Sequence, residues 1–414
     1  MERAGAEACA KPQCQAHLWR VKAGGGSARD DGTQKGWGNT GMQDAEQLQW
    51  AEDKWQQIIG KVSLTSRRIG DSFPYISIDG QYYNEEPDWW TNGFWPGLLW
   101  LIYRENGDER LRNLADSVER QLDAPLHQYE TLHHDVGFMW SLTSVAQYKL
   151  LGNPDSRRRA LTAASHLMGR YNAKGHFIRA WNQPERVGWA IIDCLMNLGL
   201  LYWASEVTGD PRYRHLAMEH SDMALRDIIR PDGSSNHIVS FDPETGQRLG
   251  AISGQGYAAD SAWSRGTAWA LYGMALGARY TGENRYLDSA RRTAQMFLDH
   301  LPEDGLPPYD FRAPHEEGMG MDSSAAVCAA SGMLEIARLV PAADARYYRD
   351  AAFGMLKKLD ERCGTWDDDG EEGLLRMGTA NFPKRAFVNV PMIYGDYFFA
   401  EAICKLRGHE ELFW

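Results

Sequence analysis

The chain predicts an all-α fold, a six-hairpin α/α barrel of twelve helices, and three observations lead there. A turn recurs along the sequence, as RENGDERL (Arg104 to Leu111), KLLGNPDS (Lys149 to Ser156), EVTGDPRY (Glu206 to Tyr213), RYTGENRY (Arg279 to Tyr286) and, more loosely, RLVPAADARYY (Arg338 to Tyr348). In the first four, glycine ends one helix and an acidic or amide residue opens the next, so each turn marks a helical hairpin. The helix before each turn is strongly apolar, while the one after it is more polar, as in LADSVERQL or LDSARRTAQMFLDHL. Loops carrying glycine then lead to the next apolar helix. Repetition of this kind stacks buried helices inside and amphipathic helices outside. Six hairpins of this length close into a barrel.

The apolar helices are expected to open near Thr91, Asp135, Trp189, Asp260, Asp322 and Asn389. The stretch Gly188 to Asp210 is apolar all round a helical wheel, which calls for a buried helix. Before these comes an amphipathic helix from about Asp44, with Leu48, Trp55, Ile58, Ile59 and Val62 on one side, followed by a polar and aromatic loop, FPYISIDGQYYNEEPDWW. Residues 1–43, rich in Gly, Ser, Asp and Lys, read as a flexible tail, leaving 44–414 as the barrel domain.

Composition narrows the function. The 414 residues carry a formal net charge of -12, which argues against nucleic acid or any polyanion bound over a wide surface. No apolar run reaches the roughly 18 to 20 residues of a membrane span, and Met1 to Asp31 lacks the apolar core of a secretory signal, so a cytoplasmic protein with no membrane partner is expected. The six cysteines have no metal-ligand spacing and read as structural thiols. No phosphate loop, metal cluster or nucleophilic serine motif stands out, so neither cofactor nor metal is expected. The residues carry no signal of oligomeric state.

If the inner helices run parallel, their N-termini converge at one end, bringing WWTNGFWPG (Trp89 to Gly97), HHDVGF (His133 to Phe138), AWN (Ala180 to Asn182), IIDCLMN (Ile191 to Asn197), SSNH (Ser234 to His237), GQGYAADSAWSRGTAW (Gly254 to Trp269), MDSSAA (Met321 to Ala326) and VNVPMIYGDY (Val388 to Tyr397) to one concave site. Asp135, Asp193, Asp260 and Asp322 all stand near helix starts, where aspartate commonly caps free N–H groups. Capping is the favoured reading for Asp260 and Asp322. For Asp135, preceded by His133 and His134, and for Asp193, desolvated by Ile191 and Ile192, capping and catalysis are evenly matched. Trp89, Trp90, Trp95, Trp181, Trp263 and Trp269 are expected at the open rim. Mixed with Asn182, His237, Gln255 and Arg265, they suit sugar rings, and Arg265 with His237 suits a carboxylate.

The chain resembles the unsaturated glucuronyl hydrolases, glycoside hydrolase family 88, over essentially all of 44–414. The likeness is carried by HHDVGFMWSL, AWN, IIDCLMNLGLLYWASEVTGDPRY, RPDGSSNHIVSFDPETG, GQGYAADSAWSRGTAWALYG and DSSAAVCAASG. It implies a six-hairpin α/α barrel that takes an unsaturated uronyl oligosaccharide left by a polysaccharide lyase and hydrates the C4–C5 double bond. Asp193 would then be general acid and base, and Asp135 an ionised partner that keeps Asp193 protonated. The resemblance further implies substrate contacts from Trp90, His134, Trp181, His237, Gln255, Arg265 and Trp269. Relatives that prefer sulfated glycosaminoglycan products carry Ser and Lys in the segment matching GTANFPKRAF (Gly378 to Phe387), which here has no serine, and Asn389 stands where many carry Asp. A pectin-type unsaturated galacturonyl-rhamnose hydrolase and a non-catalytic sugar-binding barrel are the alternatives.

Overall fold

In the computed structural model, residues 38–409 and 412–414 are described, with side chains from residue 44 onward. The tail expected over 1–43 lies outside the described residues as far as residue 37, while 38–43 already belong to the helix Gly38–Ile69.

The repeated turns do what their residues dictate. Gly107, Gly152, Gly209 and Gly282 each close an inner helix in the left-handed conformation, with φ between 66° and 71°. Asp108, Asn153 and Asp210 then accept backbone N–H bonds at the start of the following helix. Each such cap contributes about 1 kcal/mol.

Among the described residues the inner helices are Phe94–Asn106, the run Val136–Leu151, the pair Cys194–Asn197 and Gly199–Thr208, then Ser264–Thr281, Ser323–Leu339 and Ile393–Leu406. Each packs on the next, and the last packs on the first, so the barrel is closed. The outer helices are Gly38–Ile69, Glu109–Gln121, Pro154–Gly169, Pro211–Met223, Asn284–His300 and Ala342–Cys363. The outermost pair in sequence is tied by Lys54 to Asp360 at 2.7 Å and by the edge-on rings of Trp50 and Phe353. Residues Ala45–Trp414 form one compact unit. No helix of the described residues is long and apolar enough to cross a membrane.

The core is aromatic. Phe94, Phe138, Trp269, Tyr397, Phe398 and Trp414 meet along the barrel axis, with Phe398 and Trp414 stacked at 6.0 Å. Towards the C-terminal ends of the inner helices a buried polar cluster fills the barrel. Glu401 accepts from Tyr272, Tyr397, Ser331 and the Trp414 indole, while Lys405 lies between Glu401 and Glu335 at 3.4 and 3.3 Å. Buried charges are tolerated when their partners are this complete.

Two expectations need correction. The inner helix expected to open near Trp189 begins only at Cys194; Trp189–Ile191 is a strand paired with Ile238–Phe241, which pairs in turn with Arg248–Ile252. An apolar triplet fits strand or helix equally, and a distant partner decides between them. Likewise FPYISIDGQYYN is not a loop but a hairpin, Pro74–Ile78 with Gln81–Asn84, pinned to the barrel by Tyr82, whose hydroxyl donates to Asp396. The described cysteines, Cys194, Cys328, Cys363 and Cys404, are free and buried, as expected of structural thiols; Cys9 and Cys14 lie outside the described residues.

Candidate active site

The inner-helix N-termini do converge. Asp135 precedes Val136–Trp140 and Asp193 precedes Cys194–Asn197, yet neither side chain caps its helix. For Asp135 the reason lies in Asn197, one turn beyond Asp193. Its Nδ2 donates to Asp135 Oδ1 at 2.9 Å and to the Asp193 carbonyl at 3.2 Å, and its Oδ1 accepts the Phe138 N–H at 2.8 Å. Asn197 therefore does the capping at Phe138 in place of Asp135, whose carboxyl it holds. The contact is so close that a Cβ at Gly137 would fall within 2.4 Å of the Asn197 backbone.

The two acids sit in opposite electrostatic settings. Burial pushes the Asp193 carboxyl up to about 8, and the negative charge of Asp135 adds to this against the opposing Arg265. Its Oδ2 is buried without a hydrogen-bond partner, 3.7 Å from His237 Nε2. Burial also opposes ionisation of Asp135, but His134 and the hydrogen bonds of His133 and Asn197 overcome it and hold the carboxyl at about 2. Burial depresses His134 to about 4, so at neutral pH its ring acts on Asp135 as a dipole rather than a full charge. At pH 7 one carboxyl is ionised and the other carries a proton.

His237 is fixed from both sides. It packs on Trp263 at 4.3 Å, and its Nδ1 accepts the Gln255 N–H at 2.8 Å, which leaves the ring proton on Nε2, facing Asp193. Desolvation lowers its pKa to about 3, so the ring is neutral.

Arg265 departs from expectation. Its guanidinium donates to Asp322, to the Thr379 and Ala380 carbonyls at 2.7 and 2.8 Å and to Gln255 Oε1 at 2.7 Å. It is a buried tie between the helix starts and the 378–387 segment, placed over Trp263 at 4.8 Å. Asp322, favoured as a helix cap, makes no cap bond and is the anion of this pair. Asp260, also favoured as a cap, is exposed and precedes a helix that starts only at Ser264.

The aromatic rim is smaller than expected. Trp89, Trp90 and Trp181 are partly exposed, Trp89 edge-on to Tyr75, Trp90 resting against Phe138 and Tyr394, and Trp181 against Trp189 with Arg186 above at 5.0 Å. Trp95, Trp263 and Trp269 are buried. Trp269 lies between Phe138 and Phe398 and offers no exposed ring face in this structure, because its place in the first turns of an inner helix turns it to the barrel axis. Asn182 is engaged with Arg170 and the carbonyls of Glu130 and Leu132, which shapes the loop carrying Trp181. The sequence places Asn197 in a segment expected at the site, IIDCLMN, but assigns it no role, and it gives no sign of Arg170. The signal for Asn197 is an amide inside an apolar helix, four residues after Asp193. His133, His134 and Asp135 form the one group of the described residues able to offer three converging donor atoms to a metal ion.

The sequence profile described as Glycosyl Hydrolase Family 88 matches residues 65–306. The chain belongs to glycosyl hydrolase family 88. Among family 88 relatives, the unsaturated glucuronyl hydrolase of Bacillus sp. (strain GL1) is 40% identical over 372 residues, 87% of this chain and 98% of the relative. The unsaturated chondroitin disaccharide hydrolase of Streptococcus pyogenes serotype M1 is 36% identical over 86% of this chain and 90% of its own length. The crystal structure of the Bacillus sp. GL1 enzyme superposes with a TM-score of 0.84 at 38% identity, covering 87% of this chain and 99% of that one. A family 88 barrel that is a glycosidase is thus in hand.

Proposed function

We propose that this glycosidase removes 4,5-unsaturated glucuronic acid from the non-reducing end of lyase-generated, glycosaminoglycan-type oligosaccharides by hydrating the C4–C5 double bond. The names of the relatives, unsaturated glucuronyl and chondroitin disaccharide hydrolases, support the substrate class. Catalysis is assigned to residues 44–414. The observation that carries the chemistry is the Asp193 carboxyl, which caps nothing, holds its proton at neutral pH and leaves an oxygen unpartnered beside the ionised Asp135.

Protonated Asp193 delivers its proton to C4, and the electron-poor C5 takes the oxygen of a water whose proton returns to Asp193, leaving the enzyme unchanged. The resulting C5 hemiketal opens, and the partner sugar leaves as the C1 hemiacetal collapses. Asp135 stays ionised, raising the proton affinity of Asp193 and orienting substrate. His237 presents its Nε2–H toward the reacting water or a sugar hydroxyl. His134, Gln255, Trp90 and Trp181 supply substrate contacts. Arg265 and Trp269 hold the floor and the 378–387 rim in place.

Incubation with unsaturated hyaluronan and chondroitin disaccharides, followed by the ultraviolet absorbance of the conjugated double bond, tests this reading. The absorbance should decay with the parent and persist with Asp193→Asn. Decay confined to an unsaturated galacturonyl-rhamnose would move the enzyme to pectin fragments instead.

A further inference from the structure

At the rim of the first inner-helix turn after Glu130, three consecutive residues turn donor atoms to one point. The donor atoms of His133, His134 and Asp135 lie within 4.8 Å of one another. Asp135 Oδ2 is 3.3 Å from His133 Nδ1 and 3.5 Å from His134 Nε2. These separations are long for hydrogen bonds. They match the edges of a coordination tetrahedron, which for metal–ligand bonds of about 2.0–2.1 Å are about 3.3 Å long.

The donor atoms are only loosely engaged. His133 Nδ1 is met by the Asp135 backbone N–H at 3.4 Å and by Asp135 Oδ2 at 3.3 Å, both weak contacts that a metal ion would replace. His134 Nδ1 is buried with no hydrogen-bond partner, so no neighbour fixes that ring's tautomer against metal binding at Nε2. Asn197 occupies Asp135 Oδ1, which leaves Oδ2 as the oxygen for a cation. His133 is about one-fifth exposed, with side-chain exposure of 21%, and gives the cluster its opening to solvent.

We propose that His133, His134 and Asp135 form a binding site for a zinc-class transition-metal ion, and that its occupancy blocks the substrate pocket. Two imidazoles and one carboxylate suit zinc, cobalt or nickel, whereas magnesium and calcium require more oxygen ligands than the cluster has. The ion is an inhibitor here, not a cofactor: it consumes the negative charge of Asp135 and covers its free oxygen. The blocking half rests on the hydrolase reading; the binding half does not.

Cobalt(II) titration of the full chain reads the site without turnover. One equivalent should give the visible absorption of four-coordinate cobalt, displaced by zinc, and His133→Ala should weaken binding by about 100-fold, at or beyond the loss that removing a supporting contact causes. In the disaccharide assay, zinc should raise the apparent KM of the parent and leave that of His133→Ala unchanged at the same concentration. Absence of the one-equivalent absorption, or its persistence at equal affinity in His133→Ala, overturns the site. Binding without competition overturns the blocking half and removes Asp135 from the substrate pocket, while the cobalt result still stands.

Discussion

Asp193 Oδ2 and His237 Nε2 face each other at 3.7 Å across a gap that no protein hydrogen bond closes. A protonated acid and a neutral imidazole N–H aimed into one space are a donor pair awaiting an acceptor. Substituting Asp193→Asn keeps the shape and removes the transferable proton. Turnover should fall on the order of 100- to 10,000-fold, with disaccharide binding retained and the thermal unfolding midpoint at neutral pH no lower than the parent's. Turnover within a few fold of the parent would return Asp193 to a structural part.

The pH dependence has a defined sign. In the proposed mechanism Asp193 gives its proton only while protonated, so kcat should decline as pH rises through about 8. Stability follows the same group. Its folded pKa lies above its unfolded value, so the folded state keeps a proton that the unfolded state releases between pH 3.8 and about 8. The stabilisation from that proton is complete below 3.8 and is lost as pH rises through 8. Relative to the parent, Asp193→Asn should therefore gain thermal stability from pH 4 to pH 9; a constant difference between the two midpoints would contradict the raised pKa.

Arg265 and Asp322 supply the third test. Arg265→Ala leaves Asp322 as a buried charge without its guanidinium, a class of change that costs about 3–5 kcal/mol. The melting temperature should drop well before any pure effect on KM is seen. Adding Asp322→Ala should recover part of the loss, and additivity of the two substitutions would dissolve the pair.

Asn197→Ala removes the donor to Asp135 and orphans the Phe138 N–H. A lost bond to a charged group is about 1.5–3 kcal/mol, so kcat/KM should fall roughly 10- to 100-fold. The readout peculiar to its positioning role is the acidic limb of the pH profile, which should move upward as Asp135 loses a bond that favours its ionised form. An unmoved limb with lower stability alone would make Asn197 only a packing residue.

How far the sequence could be read depended on how local each signal was. Gly107, Gly152, Gly209 and Gly282 announce helix ends through their own backbone needs, and with them the hairpins and the barrel became legible. The burial around Asp193 could be inferred from Ile191 and Ile192 beside it. By contrast, the partner of Asp322 is 57 residues away, and that of Asp135 is 62 residues away on the next inner helix. Those pairings exist only because the barrel brings helix starts together. The same distance effect hid the strand Trp189–Ile191, whose character is conferred by residues 238–241. Trp269 misled for another reason: its type suggests a sugar platform, but which face of a helix is turned to the axis is set by neighbours that composition does not order.

The closed ring also dictates when the pocket comes into being. Ile393–Leu406 packs against Phe94–Asn106, and Arg265 is held by carbonyls at Thr379 and Ala380. A chain emerging from the ribosome therefore makes Asp135 and Asp193 long before the segments that wall them in. Without the last inner helix the ring would be an open arc with an apolar flank, so a chain cut short before it is expected to aggregate and to lack activity, not to work at a reduced rate.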